Sequence, residues 1–71
     1  MSYMEIAKQV GNNLKEARVN NSLTQKEVAS ILKMTQQQYS RFENGIFELN
    51  YTQIMTLCKL YGIIPYDLFL N

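Results

Sequence analysis

The sequence predicts an all-α fold, a compact bundle of five short helices with a helix-turn-helix at its centre. Three observations carry this expectation. Apolar residues recur at intervals of three and four along nearly the whole chain. Ser2 with Glu5, Thr24 with Glu27 and Thr35 with Gln38 have capping-box spacing, in which side chain and backbone satisfy each other's orphan groups at a helix start. No stretch alternates β-branched and polar residues as a half-buried strand would. With 71 residues and no repeat, linker or low-complexity tract, residues 1–71 read as one domain.

The elements follow in order. The first helix spans about 3–19, with Ile6, Val10, Leu14 and Ala17 on one face. Gly11 interrupts that face and costs roughly 1 kcal/mol relative to alanine. Asn20-Asn21-Ser22 ends the helix. The second helix, 24–32, buries Val28, Ala29, Ile31 and Leu32 and stops at Lys33-Met34. The third, 35–43, carries Tyr39 and Phe42 inward and stops at Asn44-Gly45, where glycine takes up the left-handed conformation cheaply. After a loop at 46–50, Asn50 with Gln53 caps the fourth helix, 51–61. It presents Ile54, Leu57, Cys58 and Tyr61 on one face and ends at Gly62. Pro65 opens a last short helix, 65–69, with Leu68 and Phe69 turned inward.

Composition narrows the function classes. Cys58 is the only cysteine and there is no histidine, so an intramolecular disulfide and the usual zinc sites are excluded. Neither a clustered carboxylate pair nor a phosphate-cradling glycine loop is present, so neither an enzyme nor a cofactor site is expected. Without a basic start followed by an apolar segment, and without an apolar run near 20 residues, the chain should be soluble and cytoplasmic. Cys58 reads as core, and Tyr51, Tyr61 and Tyr66 as packing residues with solvated hydroxyls. A net charge of +1 says little about partners. Any nucleic-acid case rests on where the charges sit.

Residues 25–45 make that case. Two helical patterns stand across a tight break, and the second opens on Gln36-Gln37-Gln38 with Arg41 one turn on. Long amides and a guanidinium on one exposed helical face match base edges in the DNA major groove. In a helix-turn-helix the second helix crosses close to the first, so Ala29 must be small. Val28, Leu32, Met34, Tyr39 and Phe42 must be apolar. All six requirements are met.

At these residues the chain resembles the phage lambda repressor and Cro-like (Xre-type) helix-turn-helix family. The resemblance rests on Leu14-Lys-Glu-Ala-Arg18, Leu23-Thr24-Gln25, Glu27-Val28-Ala29, Thr35-Gln36-Gln37 and Phe42-Glu43-Asn44-Gly45. Leu57, Leu60 and Pro65-Tyr-Asp-Leu68 extend it over about residues 9–70. Thr35-Gln36-Gln37 with Glu43-Asn44-Gly45 is especially similar to the 434 repressor members. The resemblance implies a lambda-repressor-like bundle that binds double-stranded DNA and regulates transcription, most simply as a repressor. Base contacts would come from Gln36, Gln37 and Arg41, with Arg41 reaching either a guanine or a phosphate. Gln38, first a capping partner, joins them as a further candidate. Phosphate contacts would come from Thr24, Gln25 and Lys26 at the start of the second helix, from Lys33 and Asn44, and from Tyr51. Arg18 and Glu43 would form a structural ion pair between the first and third helices.

Three departures shape the expectation. Lys33 stands where the family usually has glycine, at a cost of roughly 1–2 kcal/mol for a left-handed backbone. The loop Ile46-Phe47-Glu48-Leu49-Asn50 lacks the family's usual positive charge, which lowers the salt-dependent part of DNA affinity. Residues 1–8 precede the usual start and extend the first helix or form an arm. A weak half-site needs a second copy, so a homodimer on a pseudo-palindromic operator is expected. Ile63, Ile64, Tyr66, Phe69 and Leu70 are the candidate contact, their alternative role being a lid on the core. A competing reading keeps the fold as a protein-interaction module of antitoxin or anti-repressor type, binding through Ile46, Phe47 and Leu49.

Overall fold

The computed structural model describes residues 2–46 and 48–70. The chain forms four α-helices, α1 (Tyr3–Asn20), α2 (Gln25–Ile31), α3 (Gln36–Glu43) and α4 (Tyr51–Tyr61), followed by a 3-10 segment, Pro65–Phe69. The fifth expected helix is thus a 3-10 turn. Five residues opened by proline are too few to build the regular α-helical bond ladder. No strand occurs among the described residues.

Helix starts follow the sequence closely. Thr24 and Glu27 exchange bonds of 2.9 and 3.1 Å, Thr35 and Gln38 of 2.9 and 3.1 Å, and Asn50 and Gln53 of 2.9 and 2.8 Å. At α1 the Ser2 hydroxyl accepts from the Glu5 amide at 3.3 Å. The backbone from Tyr3 onward is continuous helix, so residues 3–8 extend α1.

All four α-helices close with the same loop-back, in which an amide beyond the end donates to a carbonyl five residues earlier. The pairs are Leu23 to Arg18 (3.2 Å), Met34 to Ala29 (3.0 Å), Ile46 to Arg41 (2.9 Å) and Ile63 to Cys58 (3.0 Å). This closure needs a left-handed residue just before the donor. Gly45 and Gly62 supply it at φ 70°, whereas Ser22 (57°) and Lys33 (58°) adopt it without glycine's freedom.

The core gathers Val10, Leu14 and Ala17 of α1, Val28 and Ala29 of α2, Tyr39 and Phe42 of α3, Leu57, Cys58 and Tyr61 of α4, and Leu68. Helix α1 packs on α3 and on the 3-10 segment, and α2 packs on α3. Several expected inward positions face solvent instead. Ile31 is 50% exposed and Phe69 51%, because α2 has only seven residues and a 3-10 turn cannot direct two consecutive side chains into one core; Ile6, near the start of α1, is 38% exposed. Tyr66 and Tyr51 are also largely exposed rather than packed.

Gly11 has a different role from the one its helix propensity suggests. A Cβ built there would lie 2.3 Å from the Glu43 carbonyl oxygen and 2.7 Å from that of Phe42. The glycine is the point at which the α1 backbone passes the C-terminal end of α3. Gly45 meets the same helix one turn earlier, since its Cβ would fall 2.8 Å from Lys8 backbone atoms.

Candidate nucleic-acid interface

Helix α3 projects its first turn into solvent. The Thr35 hydroxyl accepts from the Gln38 amide, and the Gln38 carbonyl oxygen accepts from the Thr35 amide, which fixes the direction of the helix start. Gln36, Gln37 and Gln38 are exposed. Gln38 therefore has its oxygen committed to the cap and only its amide nitrogen left to offer a ligand. Arg41, one turn beyond Gln37, is half-buried. It shares a surface hollow of about 760 Å³ with Lys33, Gln38, Glu48, Asn50 and Gln53.

The other end of α3 is locked. Arg18 of α1 grips Glu43 with both arms, Nε to Oε2 at 2.7 Å and a terminal nitrogen to Oε1 at 3.2 Å. Its remaining nitrogen donates to the Leu23 carbonyl at 2.9 Å. Glu43 is 5% exposed, and the Gln25 side-chain amide donates to it at 3.0 Å. Burial alone would raise the carboxyl pKa. The bonds from Arg18, Tyr39 and Gln25 outweigh it and hold Glu43 below the usual carboxylate range. The same carboxylate bond raises the Arg18 pKa against the effect of burial.

Two buried tyrosines complete this network. The Tyr39 and Tyr61 hydroxyls lie 2.6 Å apart. Burial pushes both phenols upward, Tyr61 to about 12. Either hydroxyl can donate to the other, and the Tyr39 hydroxyl also helps hold the Glu43 carboxylate in its charged form. The Tyr61 hydroxyl is thus buried and bonded, not solvated as the sequence suggested. One chain of polar contacts joins α1, α2, α3 and α4, and no buried side-chain polar atom among the described residues lacks a partner.

The expected phosphate-binding positions divide accordingly. Lys26 and Lys33 are exposed, as is Thr24, whose hydroxyl is spent on its cap. Gln25 has its side-chain nitrogen on Glu43, so an anion at this helix start would meet first-turn backbone amides, which have no intrahelical acceptor. The Asn44 amide donates to the Ser40 carbonyl (3.0 Å) and hydroxyl (3.2 Å). Tyr51 is 79% exposed at the start of α4. Ile46 is exposed and Leu49 half-buried, while the Phe47 expectation falls outside the described residues.

The chain end is clipped to α1. Gln9 donates to the Phe69 carbonyl at 2.7 Å, and Asn13 to those of Leu68 and Leu70 at 2.8 and 2.6 Å. Leu68 is fully buried beneath this clip. Ile64, Tyr66, Phe69 and Leu70 remain exposed, with Ile63 half-buried. The Gln25, Tyr39–Tyr61 and Gln9/Asn13 contacts went unread in the sequence because each joins residues distant along the chain. Polar side chains carry no periodic signal of such pairing.

Among the described residues no cluster of His, Cys, Asp or Glu could hold a metal ion, and no helix is long and apolar enough to cross a membrane. Burial, reinforced by Asp67, raises the Cys58 thiol pKa, the opposite of an activated nucleophile.

Comparison with known proteins agrees with this geometry. The crystal structure of the DNA-binding domain of BldD superposes with a TM-score of 0.81 at 24% identity, covering 99% of this chain and 100% of that one. The S. venezulae BldD DNA-binding domain gives 0.78 at 22% identity, with 93% and 99% covered. At these identities the likeness concerns the fold. No curated protein matches the sequence. A family model described as a helix-turn-helix domain matches residues 11–71. The chain belongs to the helix-turn-helix domain family.

Proposed function

We propose that the chain is a sequence-specific DNA-binding transcriptional regulator, acting as a repressor on a pseudo-palindromic operator and placing α3 in the major groove. One observation carries the reading: Gln36 and Gln37 stand exposed on the first turn of a helix whose far end is locked into the core. Glutamine can donate to N7 and accept from N6 of adenine, so each half-site should contain A·T pairs. Arg41 sits one turn deeper and reads a guanine or holds a phosphate. The fold's likeness to two DNA-binding domains supports the same reading, as does the lambda-repressor-like pattern of the sequence.

Affinity per copy is low. Lys26, Lys33 and Arg41 are the candidate phosphate-facing cations of the helix pair, and Arg18 is bonded to Glu43. A homodimer recovers useful affinity through effective concentration. The exposed apolar ledge of Ile64, Tyr66, Phe69 and Leu70 is its contact surface.

Selection of bound duplexes from a random pool at low salt tests the reading. An inverted repeat with A·T pairs in each half, spaced by about one DNA turn, is expected. Recovery of no enriched sequence would sink it. The protein-interaction alternative draws on exposed Ile46 and on an apolar pocket that Leu49 lines with Ile6, Val10, Ile54 and Phe69. It predicts no DNA shift even at 50 mM salt, where a phosphate-dependent binder is strongest.

A further inference from the structure

We propose that Glu48 limits the affinity of this domain for DNA, its carboxylate competing with phosphate for the cations beside α3. The proposal rests on the DNA-binding reading above. Glu48 is exposed in the loop between α3 and α4 and lines the same hollow as Lys33 and Arg41. Lys33 comes from the turn before α3 and Arg41 from its last turn, so the hollow brings two cations and one carboxylate together along one edge of the helix. The remaining polar lining, Gln38, Asn50 and Gln53, is neutral, and its capping bonds tie it to backbone.

A phosphate entering this hollow meets both cations and the carboxylate at once. Charges within a Debye length, about 8 Å at physiological salt, escape most screening. Glu48 thus offsets part of the field that Lys33 and Arg41 present. Non-specific binding is almost wholly phosphate-driven, whereas base readout by Gln36 and Gln37 is not. The carboxylate therefore suppresses non-specific binding more than specific binding, and so sharpens discrimination by repulsion. Glu48 also borders the apolar pocket on the other side of the loop, with Ile6, Leu49 and Phe69.

The test measures binding of a fluorescent random-sequence duplex of 30 base pairs by anisotropy, at 50 and 150 mM salt. Glu48→Gln, Glu48→Lys and Glu16→Gln are compared with the parent protein. Glu16 is exposed on α1 and lines a different hollow, beside Tyr61 and Ile63. Glu48→Gln should tighten binding about threefold to tenfold, and Glu48→Lys further, with a salt slope steeper by about one unit. Glu16→Gln should change it less than twofold at 150 mM, where distant charges are screened. Equal effects of Glu48→Gln and Glu16→Gln would reduce Glu48 to bulk charge and overturn the proposal while leaving DNA binding intact. Binding that appears only in the Glu48 variants supports it. Absence of binding in every variant, including Glu48→Lys at 50 mM salt, overturns the DNA reading and this proposal with it. Thermal melts confirm that each variant is folded.

Discussion

The two ends of α3 do opposite work. Its C-terminal end is packed against the Gly11 backbone, pinned by Arg18 and Gln25 through Glu43, and stopped by Gly45 against Lys8. Its N-terminal end touches little beyond its own cap and leaves three glutamines in water. A helix of eight residues is marginal alone. Fixing one end therefore fixes the direction in which the other end points. Stability is concentrated at the C-terminal end, and the glutamines proposed for base readout stand where stability is not at stake.

The largest test of this division is Glu43→Ala. It leaves Arg18 nearly buried without its partner and removes the acceptor for Gln25. Breaking one side of such a pair costs about 3–5 kcal/mol, much of the total stability of a small domain. A denaturant midpoint within surface scatter, about 0.5 kcal/mol, would show that the lock is ornamental. The pH dependence follows from the lowered Glu43 pKa. Its contribution is complete above the ordinary carboxylate value of 4.5 and disappears as pH falls through the lower folded value. Acid should therefore destabilise the parent protein below about pH 4.5. Glu43→Gln should flatten that part of the profile, as measured by urea titration between pH 3 and 6.

Gly11→Ala is next, and here two physical arguments give opposite signs. Helix propensity alone predicts a gain of about 1 kcal/mol. The 2.3 Å approach of a Cβ to the Glu43 carbonyl predicts a loss, because backbone cannot give way as a flexible side chain can. Overpacking of this kind costs about 1–3 kcal/mol, and it should separate α1 from the end of α3. A raised melting temperature would mean that the two helices slide apart freely and that the lock does not depend on their close approach.

Gly11 also marks the boundary of what the sequence made legible. Local signals read well: three capping boxes beyond α1, the Asn44-Gly45 stop, the small Ala29 and the apolar stripe of Val10, Leu14 and Ala17 belong to neighbouring residues on one element. Gly11 reads locally as a defect and is a crossing point only once α3 lies against it. The same holds for Tyr39–Tyr61 and for the Gln9 and Asn13 clip, whose partners stand 22 to 60 residues away. Ile31 and Phe69 failed in the reverse sense, apolar and in register but beyond the reach of a short helix and a 3-10 turn. At the candidate interface the residue types were readable, but not their prior commitments. Gln25 has given its amide to Glu43, Gln38 its oxygen to Thr35, and Asn44 its amide to Ser40.

Lys33 lies just before the exposed end, in the turn between α2 and α3 that sets the angle of α3. Its φ of 58° is left-handed, and glycine holds that conformation without the crowding of a Cβ. Lys33→Gly should stabilise the fold by up to about 1 kcal/mol after the extra entropy of the unfolded glycine is counted. It should at the same time weaken binding to random duplex DNA, with the salt slope shallower by about one unit if Lys33 holds a phosphate. A stability gain with unchanged salt slope would assign the turn a purely conformational role.

The smallest effect on stability should come from a residue proposed to read bases. Gln37 is exposed, forms no part of the cap and lies outside the core. Glutamine and alanine are both good helix formers, so Gln37→Ala should move the denaturant midpoint by less than about 0.5 kcal/mol. Its effect belongs to sequence discrimination. A lost bidentate contact is worth about 1–3 kcal/mol at one base position and nearly nothing elsewhere. In a repeat of the random-pool selection, one A·T position in each half-site should lose its preference while the rest of the motif persists. A loss spread evenly over all positions would mean that Gln37 helps orient α3, and the separation between a locked end and a reading end would fail at its most exposed point.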